Sequence, residues 1–235
     1  DQSRPIGVIN LTDRNGVAGR DAGLDAQRIA VMGGSYGGYM TLACMTHYSN
    51  RLRCGVDIVG ISSFLTFLKN TQDYRRDLRR VEYGDERDPA MAKVFARISP
   101  LASVGRISRP MLVMQGANDP RVKKAESEQI VIALRDRGFP VGYILAPDEG
   151  HGFARPVNNM SLWAASEAFL AKHIGGRFQE GGTPEVVARL KEITVDPKTV
   201  VLAKKVDTAA VGAPKPAADL APGTFSYAGS ISAGG

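Results

Sequence analysis

At 235 residues, 43% hydrophobic and 23% charged, the chain suits one globular domain with an appendage and is long enough to bury a core. No apolar run approaches ~18 residues, which excludes a transmembrane helix, and the opening DQSRPIGVINLTDRNG lacks the basic-then-apolar pattern of a signal peptide. The net charge of +6 has its densest block in DYRRDLRR (73–80), where Asp73 and Asp77 alternate with Arg75, Arg76, Arg79 and Arg80; this reads as a salt-bridged, solvated helix face, and with no nucleic-acid motif beside it neither a nucleic acid nor a membrane is an expected partner.

In chain order, residues 1–27 are weakly patterned, with one strand candidate, IGVINL (6–11). RIAVMG (28–33) is a short apolar run ending in glycine, and 36–48 can form a helix. CGVDIVG (54–60) is strand-like; 62–98 reads as helices and loops, with Pro89 at a helix start and Pro100 beyond a helix end. PMLVMQG (110–116) is a strand, 123–138 an amphipathic helix stopped by Gly138, VGYILA (141–146) a strand, and 157–173 a helix followed by Gly175 and Gly176. Strands alternating with helices predict βαβ units and a mostly parallel sheet, whose doubly buried strands explain unalternating runs such as MLVM. The composition shifts at Gly181: TPEVVARLKEI has a helix-start signature, TVVLAKKV (199–206) suggests an extended segment, and the rest is an Ala/Pro/Gly-rich tail. Two units follow, a catalytic domain over 1–180 and an extension over 181–235. Cys44 and Cys54 match no metal or redox spacing and lie among apolar residues, so buried free thiols are expected.

Chemistry begins at VMGGSYGGYM (31–40). Gly33-Gly34-Ser35-Tyr36-Gly37 fits G-x-S-x-G, a sharp strand-to-helix turn that lifts a serine clear of the sheet and needs small neighbours where strand and helix pass closely. A serine nucleophile requires a base and a group to orient it. Of three histidines, His47 reads as a capping or packed residue and His173 as a cation at a helix C-terminus. His151, between two glycines in PDEGHGF, follows a strand, where sites on open α/β sheets gather. Asp119, in QGANDPRV, also follows a strand and falls between Ser35 and His151 in chain order; by itself it would read as an Asx-turn before Pro120. Asp57 lies inside a strand, Asp88 at a helix start, and Asp148 and Glu149 stand too near His151 along the chain to orient it.

GGSYGGYM, GANDPRV and DEGHGF, in that order and spacing, resemble the catalytic domain of the prolyl oligopeptidase family of serine peptidases. SPLASVGRISRPMLVMQG and FLAKHIGGR resemble its acylaminoacyl-peptidase and dipeptidyl-peptidase-like branch, and the likeness runs over roughly 24–180. It implies an α/β-hydrolase fold and hydrolysis of short peptides through an acyl-enzyme, with no metal or cofactor. By motif it implies Ser35 as nucleophile, Asp119 as triad acid, His151 as general base and the backbone N–H of Tyr36 as an oxyanion donor. It further implies Arg121 holding a substrate carbonyl, and Val122 and Tyr83 lining the pocket for the residue before the scissile bond. In the family the elbow follows about the fifth strand, whereas 34 residues precede Ser35 here. The expectation is therefore an N-terminally truncated chain lacking the first strands, an upstream oxyanion donor and the β-propeller, with the missing region or another subunit as a partner. An esterase-like hydrolase and an inactive fragment remain alternatives. The resemblance allows cytoplasm or periplasm.

Overall fold

The computed structural model describes residues 25–202. The strand candidate at 6–11 and the tail after Val206 lie outside them. The elements run β1 (Ala30–Gly34), α1 (Tyr36–Tyr48), β2 (Cys54–Ile58), α2 (Phe64–Asn70), α3 (Asp73–Tyr83), α4 (Pro89–Ile98), β3 (Met111–Gly116), α5 (Lys124–Arg135), β4 (Val141–Ala146), α6 (Pro156–Ile174), α7 (Pro184–Ile193) and β5 (Thr194–Val195). Short 3-10 turns occupy Ser49–Arg51, Pro100–Arg106 and Pro197–Thr199.

The strands form one sheet in the order β1-β2-β3-β4-β5. The first four are parallel, and β5 joins antiparallel through Tyr143 opposite Val195 and Ile144 opposite Thr194. All six residues of β3 are buried, because helices cover both faces of the sheet. Alternate side chains therefore enter two cores. Met111 and Val113 pack with Leu42 and Met45 of α1 and Ile130 and Leu134 of α5. Leu112 and Met114 pack with Val56, Ile144, Leu162 of α6 and Ile193 of α7. Helix α1 is buried nearly all round, which explains its lack of a polar face. Cys44 and Cys54 are buried free thiols, and burial pushes both up to about 11.

Two expectations change in form. Pro100 does more than end a helix: it opens the 3-10 turn to Arg106 that carries the chain to β3. The extended segment expected over 199–206 is replaced, where described, by Thr199 closing a 3-10 turn and Val200 entering the larger core; the strand lies earlier, at Thr194–Val195. Asp196 explains the change, since its carboxylate accepts the N–H of Lys198 at 3.0 Å and turns the chain before a longer strand can form.

Candidate active site

Ser35 sits between β1 and α1 with φ 59° and ψ −118°, a left-handed conformation that a serine adopts only when its surroundings enforce it. Its N–H donates to Ile58 O at 2.9 Å, and its carbonyl accepts Tyr39 N at 3.1 Å, so the strained residue is clamped from the sheet and from the helix. The glycine pattern has a clear physical cause at one position: a Cβ on Gly33 would stand 2.4 Å from Gly37 O. Strand and helix touch there. A Cβ on Gly37 itself would meet nothing within 4 Å. The crowding is thus at the strand side of the motif.

Asp119 follows β3 and is 1% exposed. Its Oδ1 accepts Arg121 N at 2.8 Å and Val122 N at 2.9 Å, an Asx-type turn. Its Oδ2 lies 2.7 Å from His151 Nδ1, with Gln115 Nε2 at 3.4 Å. The turn expected of an isolated Asp and the contact expected of a triad acid coexist, one on each carboxylate oxygen. His151 follows β4, and its Nε2 lies 2.8 Å from Ser35 Oγ. The loops bearing Asp119 and His151 are pressed together at Gly116, where a Cβ would stand 2.1 Å from Gly150 O. Asn118 ties them further, donating its N–H to Glu149 O at 2.9 Å and its Nδ2 to Pro147 O at 2.7 Å. All three side chains project from the C-terminal ends of parallel strands.

Tyr36 opens α1, so its N–H is one of the first-turn amides that lack a partner within the helix. Its ring is 45% exposed and stacks on Tyr83 at 6.2 Å between centroids, 9° from parallel. Phe64 and Phe67 complete this aromatic wall beside Ser35, at 5.5 and 6.0 Å from Tyr83. Tyr83 is thus the centre of an aromatic cluster that includes the residue next to Ser35. The Arg121 side chain is exposed; its carbonyl accepts Thr71 Oγ1 at 3.1 Å. Val122 differs from the pocket-lining picture: it is 2% exposed, its side chain lies in the larger core, and its contribution here is the N–H given to Asp119.

His47 is exposed in the last turn of α1. His173 packs edge-on against Phe169 at 4.6 Å, and burial with the neighbouring Lys172 holds it below the usual imidazole range, so the expected cation is disfavoured. Glu149 is more than a loop polar group. It is 4% exposed and accepts Ala154 N at 3.1 Å, Arg155 N at 2.8 Å and Asn158 Nδ2 at 2.8 Å. Its place two residues before His151 was visible in the sequence, but its partner Asn158 lies on α6. A cavity of about 310 Å³ lined by Gln27, Arg51, Arg53 and Arg109 among others lies at the opposite, N-terminal ends of the strands, away from Ser35. Among the described residues no group of three or more His, Cys, Asp or Glu side chains could hold a metal ion.

The sequence model of the prolyl oligopeptidase family matches residues 17–177. The chain belongs to the prolyl oligopeptidase family. That family comprises serine peptidases, and the sheet and helices described above are its α/β-hydrolase fold. Dipeptidyl aminopeptidase BIII of Pseudoxanthomonas mexicana is 44% identical over 180 residues, 75% of this chain and 25% of that protein. Dipeptidyl peptidase family member 6 of Caenorhabditis elegans is 40% identical over 197 residues, 81% of this chain and 26% of that protein. Among solved structures, a puromycin-hydrolyzing peptidase of Mycobacterium tuberculosis superposes with a TM-score of 0.66 at 30% identity, over 73% of this chain and 26% of that one. The chain thus spans about a quarter of the length of the relatives it matches.

Proposed function

We propose that the chain carries the catalytic centre of a serine peptidase that hydrolyses peptide bonds of short peptides, with Ser35 as nucleophile, His151 as general base and Asp119 as the acid that orients it. The observation that carries this reading is the continuous contact from Ser35 Oγ to His151 Nε2 at 2.8 Å and from His151 Nδ1 to Asp119 Oδ2 at 2.7 Å. With its hydrogen on Nδ1, the neutral imidazole donates to Asp119 and accepts the Ser35 hydroxyl proton as Oγ attacks the substrate carbonyl. Asp119 stabilises the imidazolium. Its second oxygen is already held by two backbone N–H groups, so the carboxylate cannot swing away. The tetrahedral oxyanion forms beside the N-terminus of α1, where the Tyr36 N–H is a donor and the helix dipole favours negative charge. His151 then protonates the leaving amine, and water releases the acyl group by the reverse sequence.

The Tyr36, Tyr83, Phe64 and Phe67 wall supports an apolar pocket beside the scissile bond, and Arg121 supplies an exposed cation for a substrate carbonyl. The names of the relatives favour a peptidase that acts on dipeptide or blocked amino-terminal units. The test is labelling of the folded protein with a fluorophosphonate. Wild type is expected to label and Ser35→Ala to remain unlabelled; equal labelling, or none in wild type, defeats the reading. Comparing aminoacyl anilides with p-nitrophenyl esters separates peptidase from esterase action.

A further inference from the structure

The loop that carries His151 is held by a helix outside the residues matched by the family model. That match ends at 177, and α7 spans Pro184–Ile193. Arg189 on α7 reaches back to the loop with only 13% of its side chain exposed. Its Nε donates to Asn158 Oδ1 at 2.7 Å, and its Nη2 donates to Asp148 Oδ1. Asn158, fully buried on the first turns of α6, gives its Nδ2 to Glu149 Oε1 at 2.8 Å and to Asp148 Oδ1 at 3.1 Å. Glu149 closes the ring by accepting Ala154 N and Arg155 N on the far side of His151. Arg189 thus contacts the chain before His151 through Asp148 and the chain after it through Asn158. The remaining Nη1 pairs with Glu192 Oε2 at 2.8 Å on the same helix, but that carboxylate is 61% exposed and its pair adds little to the hold.

A rigid, planar fork suits this task because one guanidinium satisfies two acceptors at a set angle. Burial pushes Asp148 up, but Asn158, its own backbone and the Arg189 and Arg155 charges outweigh it and hold the carboxyl below its usual range. The loop therefore keeps an anion for Arg189 to grip at neutral pH. The Ser35 and Asp119 contacts fix where the imidazole must be; the backbone from which it projects is held on one side by Asn118, through Glu149 O and Pro147 O, and on the other by the Arg189 network. We propose that Arg189 is a positioning residue for His151, acting through Asp148 and Asn158, so that α7 helps to set the base in place. The role in catalysis rests on the serine-peptidase reading above; the effect on imidazole geometry does not.

The full chain is compared as wild type, Arg189→Met, Arg189→Lys, Asp148→Asn and Glu192→Gln. Two readouts are taken well below each variant's melting temperature: the rate of fluorophosphonate labelling as a function of pH, and the downfield proton resonance of His151 Nδ1–H, assigned by its loss in His151→Gln. Arg189→Met is expected to slow labelling by on the order of 10–100-fold, the loss typical of a displaced reacting group. It should also shift or broaden the downfield resonance. Lys should restore little, because it keeps the charge and loses the fork. Asp148→Asn, whose side chain is 38% exposed, should act in the same direction and less than additively with Arg189→Met. Glu192→Gln should label at the wild-type rate. A purely structural Arg189 would lower the melting temperature and leave both readouts unchanged, which overturns the proposal. If wild type does not label at all, the peptidase reading fails, and the resonance alone then decides: unchanged in Arg189→Met and Asp148→Asn, it sinks the positioning role too.

Discussion

Asp57 is a strand residue with both carboxylate oxygens buried and without a partner at hydrogen-bond geometry. It packs against the backbone of Gly38 and Gly60 behind the Ser35 turn. Burial pushes its carboxyl up to about 7, the nearby Glu126 adds to this, and the Gly60 N–H opposes it. Glu126 is raised by burial as well, against bonds from Thr66, Ser63 and Ser62. The consequence for stability has a definite sign. Between the unfolded value of 3.8 and the folded value of about 7, the folded state keeps a proton that the unfolded chain has lost, so stability falls as pH rises through that window and levels off above it. Asp57→Asn removes this proton uptake. Its urea midpoint should rise relative to wild type from pH 5 to pH 8, and a gap independent of pH would show that Asp57 does not titrate there. At this scale the sequence marked Ser35, Asp119 and His151 by residue type, order and flanking glycines. It could not mark Asn158 or Arg189, whose contacts with the His151 loop join residues 9 to 41 positions apart.

Helix α3 bears out the reading of DYRRDLRR as a salt-bridged face. Asp73 pairs with Arg76 at 2.6 Å and Asp77 with Arg80 at 3.0 Å, yet these carboxylates are 90% and 91% exposed. Such pairs contribute little. Arg80 also holds Glu86, beyond the helix, with Nε at 3.0 Å and Nη2 at 2.6 Å, and the Glu86 side chain is 3% exposed. That bidentate, sheltered pair closes the loop after α3 and should matter more. In thermal melts Glu86→Gln should lower the transition clearly, while Asp73→Asn and Asp77→Asn stay within about a degree of wild type; the reverse order would refute this ranking. Helices were legible because their ends carry local chemistry. Thr183 accepts Val186 N, Asp88 accepts Ala90 N, and Pro184 and Pro89 are the first residues of their helices. The two-residue β5 had no such signal, since its pairing with β4 comes from across the sheet.

For the whole molecule, the sheet order sets where the structure is firmest. Strand β3 is flanked on both sides and buried throughout; β1 is only partly buried and, among the described residues, pairs with β2 alone. Amide hydrogen exchange should be slowest at Leu112, Val113 and Met114 and markedly faster along Ala30–Gly34. Exchange in β1 as slow as in β3 would contradict that gradient. The sequence by itself determined the α/β class, the parallel strands and the three residues whose side chains meet, because hydrophobic periodicity, turn glycines and motif order are local properties of a chain. Only the tertiary structure decided that Ser35, Asp119 and His151 lie within hydrogen-bond reach, that Val122 belongs to the core, and that α7 grips the His151 loop. Those facts depend on which strands become neighbours and how closely their loops pack, and contacts between distant segments leave no periodic trace in the sequence that makes them.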